Sequence, residues 1–312
     1  MNPVLNPSEL SRIENLELLA KHAVEGFIIG LHKSPFHGFS VEFAEHRAYN
    51  PGEATRYVDW KVFARTDKMF VKKFEEETNL RCQLVLDASS SMYFPEKPEK
   101  NHLTKIRFGI MASAAFTYLM RRQRDATGLT IFSDKIEFQS HAKNTLSHQK
   151  MLFSKLELLS ERLSSEKKTT SAAESLHHVA ESIHQRSLVI ILSDMMDSAM
   201  SDEVEKAKIF EALQHLRHAK HEVILFYIVD KKHELEFEFE NRPYIFVDLE
   251  TGEKVKLRPS EVKEKYASQM QKFRKELELR CGQYGVDLVE ADINRDFSQI
   301  FIPYLVKRSK LY

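Results

Sequence analysis

The chain reads as an α/β protein built on a doubly wound, mostly parallel sheet, and three features point there. From residue 80 onward, short apolar runs of strand length alternate with longer stretches of helical spacing, the order that lays a parallel sheet between helices. Two of those runs, Arg81–Asp87 and Leu188–Ser193, are apolar enough for strands of the core. Both end in short oxygen-bearing side chains, Asp87-x-Ser89-x-Ser91 and Ser193-Asp194, where a core strand would leave the sheet.

The elements follow in order. Leu10, Ile13, Leu16, Leu18, Leu19, Ala23 and Phe27 recur at helical spacing across residues 8–31, after a Ser8 suited to cap the start. His37 to Arg65 is read as irregular, and Met69 to Glu77 as extended. Arg81–Asp87 is a strand, 103–122 a helix of small and apolar residues, and Gly128–Phe132 a β-branched strand that pairs with Lys135–Gln139 as a hairpin. Helices are expected at 147–163 and 172–185, a strand at 187–193, a helix at 202–218 and a strand at Val223–Val229 that ends in Asp230. An inserted β-hairpin, Tyr244–Asp248 and Lys254–Leu257, flanks Glu250-Thr251-Gly252-Glu253. A long helix over about 259–281, a strand Val286–Glu290 and a closing helix over 296–308, with Pro303 as a kink, complete the chain. This gives two parts, an N-terminal helical and irregular extension (1–78) and the sheet domain (79–312). No internal repeat or low-complexity tract interrupts them.

Composition narrows the function classes. Hydrophobic residues make up 42% and charged residues 29%, enough apolar surface for an ordinary water-soluble core. Lys+Arg and Asp+Glu each number 46, so no basic excess marks a nucleic-acid partner. Cys82 and Cys281 are the only cysteines, which excludes a disulfide framework and a cysteine metal site. No apolar run reaches the roughly 18–20 residues that cross a bilayer, and the N-terminus has no secretory pattern. A cytoplasmic protein is expected.

The strand ends carry the chemistry. In an open parallel sheet, ligands bind in the crevice outside the carboxyl ends of the strands. Asp87, Ser89 and Ser91 from one end and Asp194 from another would gather hard oxygen donors, which suit Mg²⁺ or Mn²⁺. A further oxygen should come from another loop on that edge, and Thr170 in Lys167-Lys168-Thr169-Thr170-Ser171 is the candidate. If both aspartates act through water, the metal stays electrophilic and keeps room for an outside carboxylate, which makes a binding site rather than a hydrolytic one.

This arrangement resembles the metal-ion-dependent adhesion site of von Willebrand factor type A domains: Asp-x-Ser-x-Ser, then a loop Thr, then an Asp after a later strand. The resemblance implies Ser89, Ser91 and Thr170 as direct ligands and Asp87 and Asp194 in support. The usual Gly-Gly before that Thr is replaced by Lys168-Thr169, which leaves Thr169 as an alternative ligand. Upstream, Gly38-Phe39-Ser40-Val41-Glu42-Phe43, Arg47-x-Tyr49-x-Pro51-Gly52-Glu53 and Arg56-Tyr57-Val58-Asp59-Trp60-Lys61-x-x-Ala64-Arg65 resemble the signature of the domain-of-unknown-function 58 family. That family sets this block before a von Willebrand A-like domain, commonly with an AAA-type ATPase of the MoxR group as partner. Glu53 stands where the family usually has Asp. The resemblance implies a non-enzymatic, cation-dependent protein-binding module, an adaptor to such an ATPase with an acidic-residue-bearing client.

Read physically, the block interleaves Arg47, Arg56, Asp59 and Arg65 with Tyr49, Tyr57, Trp60 and Phe63, a structural clasp whose charges pair while its rings pack. The same residues, with Arg47, Arg56, Asp59, Trp60 and Arg65 foremost, are the candidate partner-docking surface should the cation site be idle. The rival enzyme reading is a Mg²⁺-dependent phosphohydrolase. It needs a second carboxylate two residues after the first, and position 89 is Ser. No nucleophile elbow, phosphate loop or nicotinamide fingerprint is present. His215-x-x-His218-x-x-His221 spans a helix end with no cysteine near and reads as a solvated face, and the neighbours His177 and His178 do not share a helix face.

Overall fold

The computed structural model describes residues 15–32, 46–48, 60–72, 80–95, 102–162, 172–196, 203–247 and 254–309. In chain order these contain α1 (Leu16–His32), β1 (His46–Ala48), α2 (Trp60–Thr66), β2 (Phe70–Lys72), β3 (Arg81–Asp87) and α3 (Lys105–Arg122). Next come β4 (Ala126–Phe132), β5 (Ile136–Gln139), α4 (Leu146–Ser160), α5 (Ala172–Ser182), β6 (Leu188–Ser193), α6 (Glu203–His218) and β7 (Glu222–Val229). The remainder is β8 (Tyr244–Val247), β9 (Lys254–Leu257), α7 (Pro259–Tyr284), β10 (Asp287–Asp292) and α8 (Ser298–Ser309).

Six strands form the central sheet in the order β10-β7-β6-β3-β4-β5. All neighbours are parallel except β5, which turns back antiparallel on β4. The sheet is the expected one, and its hairpin edge is where the sequence places it. Successive strand side chains point to opposite faces, so the apolar runs feed two cores. Leu84, Leu86, Ile190, Leu192, Phe226 and Ile228 pack beneath α1, α3, α4 and α8. Val85, Val189, Ile191, Leu225 and Tyr227 pack beneath α5, α6 and α7.

Local chemistry sets the ends of the helices. Asn15 accepts the amide N–H of Leu18 at 2.8 Å at the start of α1, the satisfaction of an orphan donor that N-capping provides. Ser8, the cap candidate read from the sequence, lies outside the described residues. Thr104 accepts from the Arg107 amide at 3.2 Å to cap α3. Within α3, a Cβ on Gly109 would lie 2.7 Å from Leu86 Cδ1, so the missing side chain lets the helix sit close on β3. At the other end of the chain, α8 runs through Pro303 and seats Ile300, Phe301 and Tyr304 in the core, together with Phe297 just before it. Phe301 meets Phe27 of α1 with centroids 4.9 Å apart, and Phe297 stacks on Phe108 of α3 at 5.0 Å.

Two readings need correction. The segment treated as irregular through Arg65 includes β1, paired antiparallel with β2, and the helix α2. The stretch after β7 is not simply a loop before the hairpin, because Lys231–Leu235 forms one π-helical turn. The hairpin itself, β8 on β9, forms as expected.

Candidate cation site

The strand order reverses direction at β3, since β4 lies on one side of it and β6 on the other. The crevice outside the carboxyl ends of β3 and β6 is therefore the topological switch point, the place where open α/β sheets bind ligands. The parallel pairing of Leu86 with Leu192 sets Asp87 beside Ser193 there.

From that register the site assembles. Asp87 Oδ1 accepts the Ser89 amide at 2.9 Å, which turns the chain back over the strand end, and Oδ2 accepts the Ser193 hydroxyl at 2.6 Å. Ser89 then precedes a single 3-10 turn, Ser90–Tyr93, which carries Ser91 round to the same side. The Ser89 and Ser91 hydroxyl oxygens lie 3.1 Å apart, and Ser91 donates to Asp194 Oδ1 at 3.1 Å. Past β6, Met195 takes a left-handed backbone conformation, φ 48°. Such a conformation costs a side-chain-bearing residue about 1–2 kcal/mol. It aims two amides back into the site: Met195 N–H on Ser193 Oγ at 3.0 Å and Met196 N–H on Asp194 Oδ1 at 3.1 Å.

Asp87, Ser89 and Asp194 are buried and Ser91 is half-exposed, so the group faces outward through its second serine. Burial, and then the charge of Asp194, push the Asp87 carboxyl up to about 7 against the pull of its hydrogen bonds from Ser193 and Ser89. A buried carboxyl held that high lacks a compensating positive charge. Two oxygens bound in neighbouring positions of an octahedral Mg²⁺ shell, each at about 2.1 Å, lie roughly 3.0 Å apart. The 3.1 Å between the Ser89 and Ser91 oxygens is compatible with that spacing as well as with the hydrogen bond they share. The donors are hydroxyls and carboxylates; among the described residues no group of three or more His, Cys, Asp or Glu side chains comes together as a metal cluster.

The structure thus brings Asp87, Ser89, Ser91 and Asp194 into one constellation. Thr170, with its alternative Thr169, lies outside the described residues. Of the clasp residues, Arg47 lies in β1 opposite Val71, Trp60 opens α2, Arg65 is exposed in its last turn, and Arg56 and Asp59 lie outside the described residues.

Three participants were not read from the sequence as site residues. Ser193 orients Asp87. Lys105, in the first turn of α3, is buried and donates to Asp194 Oδ2 at 2.6 Å and also to Glu234 Oε1. Glu234, from the π-helical turn, is itself fixed by the Asp230 amide, which donates to Oε2 at 2.8 Å. Burial alone would lower the Lys105 ammonium, but the two carboxylates on either side outweigh it and hold the lysine charged. A signal for Lys105 did exist: a lysine in the first turn of an apolar helix opposes the helix dipole, so a buried one there needs carboxylates from elsewhere.

The histidine reading also needs revision. His218 is exposed, but His221 is fully buried and accepts the Ser187 amide at 3.3 Å. His215 is half-buried, with its Nδ1 2.9 Å from that of His177 on α5.

A six-stranded, mostly parallel sheet flanked by helices, with oxygen-bearing side chains gathered at its switch point, defines a doubly wound α/β fold. The chain belongs to the family described as Protein of unknown function DUF58, whose model matches residues 45–276. It is 25% identical over 192 residues to uncharacterized proteins of Mycobacterium tuberculosis strain H37Rv and of Mycobacterium bovis, a match that covers 61% of this chain. The chain spans 58% of the length of those curated relatives. Among solved structures it is similar to the conserved hypothetical protein BatB from Bacteroides thetaiotaomicron, with 12% identity and a TM-score of 0.42 over 75% of this chain and 100% of that one. No helix among the described residues is long and apolar enough to cross a membrane.

Proposed function

We propose that this chain is a divalent-cation-dependent protein-binding module of the von Willebrand A type. It would hold Mg²⁺ or Mn²⁺ at the switch point and capture a partner through an Asp or Glu that completes the metal shell. The observation that carries the reading is the convergence of Ser89, Ser91 and Asp194 oxygens at 3.1 Å spacings over the buried Asp87, from two strand ends more than a hundred residues apart in the chain. A bound dication would supply positive charge beside Asp87, which the Lys105 ammonium on Asp194 and Glu234 does not pair, and an electrophilic point for an incoming carboxylate. Asp87 would support Ser89 and Ser193 from below, and Asp194 would hold Ser91. Thr170 remains the proposed ligand from the third loop.

The reading is of binding without turnover. Asp87 accepts hydrogen bonds at both oxygens, and the carboxylate to which Ser91 donates is paired with Lys105, which makes it a weaker base, so neither is poised as a nucleophile. The partner implied by the family resemblance is a MoxR-type AAA ATPase, with this chain as its adaptor to an acidic client. The test is capture of an immobilised glutamate-rich peptide. Binding in Mg²⁺ that EDTA abolishes, and that is lost in Ser89→Ala plus Ser91→Ala with the fold intact, is expected. Equal capture with and without the chelator would refute the reading.

A further inference from the structure

We propose that Lys105 sets the strength of this cation site: its ammonium, clamped on the far oxygen of Asp194, weakens divalent-cation binding so that a partner's carboxylate is needed to secure the metal. The proposal rests on the cation-site reading above and adds the residue that couples metal and partner.

The geometry divides Asp194 between two duties. Oδ1 receives Ser91 and the Met196 amide, on the side where the serine oxygens gather. Oδ2 receives Lys105 at 2.6 Å. Lys105 is 1% exposed, and the Phe94 ring lies 5.7 Å from its ammonium, so little water screens it. A dication seated against the serines and Oδ1 would therefore meet a carboxylate whose charge is already offset from behind. Like charges a few ångströms apart repel strongly where water is excluded. A metal bound under that handicap gains most from an added negative ligand, which is the chemistry of an acidic partner. By reciprocity the metal raises the partner's affinity by the same factor.

Glu234 is the counterweight. It takes the other side of Lys105, and the Asp230 amide holds its second oxygen. Removing Glu234 leaves the full lysine charge acting on Asp194. Removing Lys105 frees Asp194 to serve the metal alone. Removing both charges together restores the balance. The two substitutions thus have opposite signs, which a purely structural role for the lysine does not produce.

The experiment is Mn²⁺ titration calorimetry on the wild type, Lys105→Met, Glu234→Gln and the double variant, with circular dichroism to check each fold and repeats in saturating glutamate-rich peptide. Lys105→Met is expected to bind Mn²⁺ about tenfold more tightly and Glu234→Gln about tenfold more weakly, with the double variant close to wild type. The enhancement of Mn²⁺ affinity by the peptide should shrink in Lys105→Met. If Lys105→Met does not fold, Glu234→Gln and the double variant still decide. Weaker binding in every variant, or no change in Glu234→Gln, overturns the role of Lys105 and leaves the site itself standing. A wild type that takes up no Mn²⁺ with or without peptide overturns the site and this proposal together.

Discussion

Burial decides what single residues do here, and His221 shows how. It follows two histidines at helical spacing, yet α6 stops at His218, and Lys220 turns the chain in a left-handed conformation, φ 65°. That turn drives His221 inward, where burial first, and the charges of neighbouring histidines in a lesser degree, keep its pKa below the usual 6.5. A histidine whose pKa is depressed on folding contributes stability that is present above its unfolded value and is lost as pH falls through the folded one. Stability should therefore fall as pH drops below about 6.5. His221→Asn, which keeps an acceptor for the Ser187 amide, should flatten that slope in urea denaturations run from pH 7.5 to 5. An unchanged slope would mean that other groups, such as the buried His148, whose pKa burial also lowers, dominate the acid limb. The helix end at 218 was expected, but with no glycine after it nothing in the sequence marked the left-handed turn that points His221 inward.

The elements themselves were largely legible. The core strands and the helices from α3 to α8 fall close to their expected bounds, since long apolar runs and 3.6-residue spacing are strong signals. What was missed had short or polar signals. Helix α2 spans only Trp60–Thr66. The π-helical turn, Lys231–Leu235, runs into Glu234-x-Glu236-x-Glu238-x-Glu240, whose alternation looks like an exposed strand. That turn is fixed by Asp230, whose carboxylate accepts from His233, and by the Lys105 contact, 129 residues away in sequence. Strand β4 offers a test at this scale. A Cβ on Gly128 would lie 2.2 Å from Gln83 Oε1, 2.7 Å from the Ser140 carbonyl and 2.9 Å from the Ala142 amide. The glutamine can swing aside, but the backbone atoms must shift, so Gly128→Ala should cost about 1–3 kcal/mol, as overpacking does. Chemical denaturation measures it, and a variant as stable as wild type would contradict the tight approach of residues 140–142 to β4.

Across the whole molecule, the switch point between β3 and β6 is where the fold meets the proposed function. Both strands are buried on both faces, so their ends are held by two cores at once, and the site inherits that rigidity. Helix α1 belongs to the same packing, with Leu16, Leu19, Ala20, Ala23 and Val24 in the core beneath α3 and α8. The clustered oxygen side chains were legible in the sequence because they follow apolar strands, Asp87, Ser89 and Ser91 at the end of β3 and Asp194 after β6. The sequence did not show the Lys105–Glu234 pair that balances them, because charge pairing between distant segments leaves no local pattern. The most direct test of a cation-dependent binding site is Mg²⁺ and Mn²⁺ calorimetry on the wild type and Asp87→Ala, followed by an acidic peptide. Metal uptake by the wild type alone, with peptide bound only to the metal-loaded form, is the predicted result. Metal uptake that survives Asp87→Ala unchanged, or peptide binding without metal, would contradict it.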